Sequence, residues 1–186
     1  MMPEIALNIL DVAENSVRAG ASLIEITVSV QPGADTLTVT ITDDGCGMTQ
    51  EQLERVQDPF YTTRTTRKVG LGIPFFKQAS EGAGGSFQID SETGKGTTVK
   101  AVFGLSHIDR MPLGNISSTI HTLIVFNAQT DFRYIYEYGE KSFVLDTRQM
   151  REILGEGISF SEQEVSAFIR EYLEVNKTET DGGAEV

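Results

Sequence analysis

Asp43-Asp44-Gly45-Cys46-Gly47-Met48 is the most informative run in the sequence. It follows Thr36 to Thr42, an alternating, β-branched run that reads as a strand. An acidic pair and two glycines at a strand end predict a pocket rather than an ordinary hairpin. The glycines let the backbone turn sharply and leave room for a flat ligand. A buried carboxylate there can accept a hydrogen bond from a ligand amine. Alone, Asp-Gly is a common turn dipeptide, so its meaning rests on the rest of the chain.

The 186 residues suffice for one sizeable core, or one core with a small annex. At 39% hydrophobic and 23% charged, the composition is that of a globular chain and not a disordered one. A formal net charge of -12 argues against broad nucleic-acid or membrane-surface binding, both of which need a positive face. The single cysteine, Cys46, excludes an internal disulfide and fits a reducing compartment. With no cationic-then-apolar leader and no apolar run near ~20 residues, a cytoplasmic protein without a membrane span is expected.

Upstream of the opening stretch, Ile5, Ile9, Val12, Ser16 and Ala19 recur at helical spacing from Pro3 to Ala19, with Gly20 as a stop. Asp11, Asn15 and Arg18 share one side of that helix. They read either as a solvated polar stripe or as an acid, an amide and a cation converging on a phosphate and its metal; an Asn carbonyl suits Mg²⁺. Residues 22–30 alternate as a strand that pairs with Thr36 to Thr42 across the Gln31 to Asp35 turn. Downstream, Thr49 caps a short helix. The polar run through Arg64, Arg67 and Lys68 predicts a loop, and a helix begins near Gly72, with Pro74 in its first turn. Glycines opening a helix offer N–H groups to an anion. Residues 86–91 and 97–104 form a second hairpin.

Asp11-Val-Ala-Glu-Asn15, Asp43-Asp-Gly-Cys-Gly47, Asp58-Pro-Phe-Tyr-Thr-Thr-Arg64, Gly70-Leu71-Gly72 and Gly94-Lys-Gly-Thr97 stand in fixed order over the first 104 residues. Together they resemble the boxes of the GHKL ATPase superfamily, which joins gyrase B, heat-shock chaperones, histidine kinases and MutL. The resemblance implies a Bergerat-type α+β two-layer sandwich: a mixed, mostly antiparallel sheet with helices on one face. It implies ATP and Mg²⁺ as ligands, with Asp43 reading the adenine amine, assisted by Thr97. Gly45, Gly47 and Met48 would border the base, and Asn15 would hold the metal. Arg64, Lys68, Gly70, Leu71 and Gly72 would face the phosphates.

Asn15 to Ala21 is similar to MutL, whereas the run from Pro59 to Gly72 resembles a sensor kinase with a very short lid: only residues 64–69 separate Thr63 from Gly70. Asp11 occupies the place of the general-base Glu of the ATPase branches and is one methylene shorter, which weakens its reach to water. Arg18 stands where many sensor kinases carry a basic residue against the terminal phosphate. These features favour phosphoryl transfer or simple nucleotide binding over efficient hydrolysis, and a histidine- or serine-kinase-like phosphoryl-transfer subunit in signalling is the leading expectation. A slow ATPase switch resembling MutL and a non-catalytic nucleotide sensor are the alternatives. Both histidines, His107 and His121, follow the nucleotide core, so a phosphoacceptor is expected on a partner protein.

The boundaries expected are an ATP-binding domain over 1–104, a linker over 105–114, a small α/β annex over 115–175 and a disordered tail over 176–186. The annex reads as a helix to Phe126, a hairpin over 132–146, and helices over 147–154 and 161–175. His121 and the alternating row Phe132, Tyr134, Tyr136 and Tyr138 read first as packing groups.

Overall fold

The computed structural model describes residues 3–58, 72–155 and 157–186. Six strands form one sheet in the order β3-β4-β2-β1-β5-β6. The strands are β1 (Leu23–Gln31), β2 (Thr36–Asp43), β3 (Ser86–Glu92), β4 (Gly96–Gly104), β5 (Asp131–Tyr138) and β6 (Lys141–Asp146). All pairings are antiparallel except β1 with β5. The helices are α1 (Ile5–Arg18), α2 (Gln50–Arg55), α3 (Gly72–Gly82), α4 (Ile116–Phe126), α5 (Thr147–Leu154) and α6 (Gln163–Asp181). No described helix is long and apolar enough to cross a membrane.

The sheet's two faces follow from the period-2 alternation of its sequence. Ile24, Ile26, Val28 and Val30 of β1, Leu37, Val39 and Ile41 of β2, and Val99, Ala101 and Phe103 of β4 are buried. They meet the apolar side of α1 (Ile5, Ile9, Val12, Ala13) and Phe76 of α3. On the opposite parity stand Thr38, Thr40 and Thr42 of β2, none of them buried. Burying each large aliphatic or aromatic side chain contributes roughly 1.5–3 kcal/mol before chain entropy is set against it. This is the two-layer α+β sandwich expected from the sequence.

The α/β segment after residue 114 is joined to the core through this sheet. β5 pairs with β1 from Leu23↔Asp131 to Val30↔Tyr138, the edge of β1 that the β1–β2 hairpin leaves open. Phe132, Tyr134 and Tyr136 are buried there, so the aromatic row packs. Residues 105–114 are tied down at both ends. The Leu105 N–H donates to the Asp35 carbonyl, and the Ile5 and Ala6 N–H groups donate to the Pro112 and Leu113 carbonyls.

The C-terminus corrects the sequence reading. A disordered tail was expected from residue 176, but α6 continues to Asp181. Asp181 is buried; it accepts from the Tyr136 hydroxyl at 2.9 Å and from Lys177 Nζ at 2.6 Å. The Leu113 N–H then donates to the Val186 carbonyl. Polar residues that look solvated in sequence are held by partners distant along the chain.

Candidate functional site

The site is built on a row of side chains crossing three strands. Register puts Ser91 of β3 opposite Thr97 of β4, and Thr97 opposite Asp43 of β2. Residues directly opposite in antiparallel strands project from the same face. Asp43 ends β2 on the buried parity at 7% exposure, far below what a carboxylate keeps without partners. Ser16 Oγ, on α1 above it, donates to Asp43 Oδ2 at 2.5 Å, and the Gly45 N–H donates to Oδ1 at 2.9 Å. These fix the carboxylate's rotamer while leaving it further acceptor positions.

The loop after β2 is docked on the β3–β4 turn. The Gly94 N–H donates to the Cys46 carbonyl at 2.8 Å, and the Met48 N–H donates to Ser91 Oγ at 2.9 Å. Gly47 has φ +67°, and a Cβ there would lie 2.0 Å from the Glu92 carbonyl oxygen. Gly96 has φ +112°, and its Cβ would lie 1.9 Å from the Asp43 carbonyl oxygen. Both positions therefore demand glycine, for backbone conformation and for close approach. Asp44 has a different role. It accepts from the Ser22 and Leu23 N–H groups at 2.8 and 2.9 Å and from Ser22 Oγ. Burial works to raise its pKa, but these bonds together outweigh it and hold the carboxyl below its ordinary value. Asp44 closes the strand end structurally.

A second group lies along α1. Asp11 abuts the start of α3: a Cβ at Gly72 would fall 2.1 Å from Asp11 Oδ2. Asn15 Oδ1 accepts from Arg18 Nη2 at 2.5 Å, and Arg18 also approaches Glu14 at 3.5 Å. Asp11, Asn15 and Arg18 thus share one side of α1, as the spacing required. Gly72 opens α3, as expected. Arg64, Lys68, Gly70 and Leu71 lie outside the described residues. Among the described residues no group of three His, Cys, Asp or Glu side chains could hold a metal ion. An amide carbonyl oxygen such as that of Asn15 is a hard ligand of the kind Mg²⁺ takes.

Sequence reasoning missed Ser16 and Ser91. Both signals were there: Ser16 continues the buried stripe of α1, and Ser91 follows Phe87 and Ile89 at the same parity of β3. A hydroxyl at a core position must find a partner. Elsewhere, His121 is a packed group: its Nε2 lies 2.8 Å from Ser166 Oγ, and burial first, then Arg170, pushes its pKa down.

A family model described as "Histidine kinase-, DNA gyrase B-, and HSP90-like ATPase" matches residues 4–107. The chain is similar to Sporulation kinase C of Bacillus subtilis (strain 168), 30% identical over 96 residues, which covers 52% of this chain and 22% of that protein. It is also similar to Sensor kinase CckA of Brucella abortus (strain 2308), 39% identical over 70 residues, covering 37% of this chain and 7% of that protein. It thus spans less than a quarter of the length of either. Among solved structures, the N-terminal domain of a DNA repair protein shares the fold, with a TM-score of 0.54 at 14% identity over 84% of this chain and 58% of that one.

Proposed function

Because the chain belongs to the family of histidine kinase-, DNA gyrase B- and HSP90-like ATPases, we propose that it binds ATP·Mg²⁺ over Asp43 and serves signalling as a kinase-type subunit whose phosphoacceptor lies on a partner protein. The observation that carries the ATP site is the buried Asp43 carboxylate, steadied by Ser16 and Gly45 and set beside Thr97. Such a group accepts hydrogen bonds only and suits the exocyclic amine of adenine. Gly45, Gly47 and Met48 border the base, and Thr97 assists Asp43. Gly70, Leu71 and Gly72 offer N–H groups to the phosphates, with Arg64 and Lys68 as local positive charge.

Mg²⁺ would neutralise charge on the phosphates. Asn15 would be its protein ligand, with Arg18, bonded to the Asn15 oxygen, as the cation beside the terminal phosphate. Asp11 lies against Gly72 with a side chain one methylene shorter than a glutamate's, which shortens its reach to an attacking water. That favours transfer to a partner over efficient hydrolysis. The similarity to sporulation and sensor kinases supports the same direction.

Incubation with γ-labelled ATP and candidate partners tests the reading. Label transferred to a partner side chain is the expected result. Free phosphate release without transfer would favour the switch ATPase, and neither would leave a nucleotide sensor.

A further inference from the structure

Ser91 has no role in the reading above, yet its hydroxyl joins β3 to β4 and to the loop after β2, beside Thr97. Its Oγ lies 2.9 Å from the Met48 nitrogen, 3.0 Å from the Gly96 carbonyl oxygen and 2.8 Å from Thr97 Oγ1. A hydroxyl has one proton and two lone pairs, so the three contacts can be assigned. The Met48 N–H can only donate, so Ser91 accepts there. The Gly96 carbonyl can only accept, so Ser91 spends its single proton there. The contact with Thr97 is then satisfied only if Thr97 donates into the second lone pair of Ser91. That commits the one proton Thr97 has, and Thr97 keeps only acceptor capacity for a ligand. Thr97 stands directly across from Asp43, itself an acceptor.

We propose that Ser91 is a specificity-determining positioning residue: it locks the Thr97 hydroxyl as an acceptor, so that the base end of the pocket presents acceptors alone. Such an end matches the 6-amino group of adenine and opposes the 6-oxo group of hypoxanthine or guanine, whose oxygen would face lone pairs. The proposal rests on Asp43 being the base reader. Removing the Ser91 hydroxyl frees the Thr97 proton to rotate and donate to a 6-oxo group, so the change is in selectivity as well as affinity.

The test is calorimetric titration of the full chain with ATP and with ITP, which carries a 6-oxo purine. Wild type is expected to prefer ATP. Ser91→Ala should weaken ATP about five- to tenfold, the scale of one hydrogen bond, while ITP weakens less or tightens, so the ATP/ITP preference falls. Ser91→Thr keeps the hydroxyl and should keep the preference. Thr97→Val should lower the preference alone, and adding Ser91→Ala to it should change the preference no further. Equal weakening of both nucleotides in Ser91→Ala would overturn the proposal, because a merely structural role predicts that. So would a further drop in preference in the double variant. If Ser91→Ala does not fold, the Thr and Val variants decide. Wild type binding neither nucleotide would overturn the Asp43 reading and this proposal with it, whereas wild-type ATP binding with an unmoved ratio overturns this proposal alone.

Discussion

Replacing Tyr136 by Phe removes the hydroxyl that donates to Asp181 at 2.9 Å, and replacing Tyr134 by Phe removes one that has no partner. The Tyr134 oxygen is one of two side-chain polar atoms among the described residues that are buried without a hydrogen bond, the other being Asn8 Oδ1. The two substitutions delete the same atom from neighbouring positions of β5 and should move stability in opposite directions. A hydrogen bond to a charged group is worth about 1.5–3 kcal/mol. Asp181 keeps Lys177 Nζ and the Gly183 N–H when Tyr136 withdraws, which puts Tyr136→Phe at the lower end, about 1.5–2 kcal/mol destabilising. Tyr134→Phe deletes an unpaired buried hydroxyl whose desolvation costs about 1–3 kcal/mol. The small void left behind offsets part of that, so it should be neutral or stabilising by up to ~1 kcal/mol. Urea titration by circular dichroism reads both, provided the slope of each transition is unchanged. In a chain of this size ~1 kcal/mol moves Tm by about 2–4 °C. A loss above ~1 kcal/mol in Tyr134→Phe, or a Tyr136→Phe no worse than Tyr134→Phe, would refute the account of how α6 is anchored.

Other perturbations have equally definite outcomes. Gly96→Ala brings a Cβ within 1.9 Å of backbone at φ +112°; it should cost about 3 kcal/mol or more and abolish nucleotide binding. Gly94→Asn, at φ +80° with nothing within 4 Å, should cost under about 1 kcal/mol, both read by thermal melts. Asp44→Asn removes the charge that collects donors from Ser22 and Leu23, so stability should fall about 1–2 kcal/mol with ATP affinity unchanged by calorimetry. Stability should also fall in two stages on acidification. His121 is pushed down by burial and then Arg170. Burial works to raise the Asp181 pKa, but Lys177, Tyr136 and the Gly183 N–H outweigh it and hold it low. Both folded values are depressed, so each contribution is present above its unfolded pKa and lost as pH falls, His121 from ~6.5 and Asp181 from ~4. His121→Gln should remove only the upper stage from a series of urea midpoints.

The parts of the molecule legible in the sequence are those set by local pattern. The β-branched alternation of Thr36 to Thr42 is followed by Gly47 because the loop must lie on Glu92, and Thr49 and Gln52 form a capping box about α2. The partner of β1 on its far side was not legible. A parallel pairing between residues 23–30 and 131–138 carries no local signature, since both strands would look the same with another neighbour. The helix past Val175 was misread for a related reason: Asp181 looks solvated until Tyr136 supplies a partner. Ser16 and Ser91 show the reverse, polar residues at core parity whose partners, Asp43 and Thr97, were already marked as site residues.

The proposed function stands on Asp43, held by Ser16 and Gly45 and set beside Thr97, as the reader of adenine. Calorimetry of ATP·Mg²⁺ against wild type, Asp43→Asn and Asp11→Ala tests it most directly. Binding by wild type, loss of it in Asp43→Asn with the fold intact by circular dichroism, and retention in Asp11→Ala are the predicted results. No binding to wild type at millimolar ATP, or an Asp43→Asn variant that binds as wild type does, would contradict it.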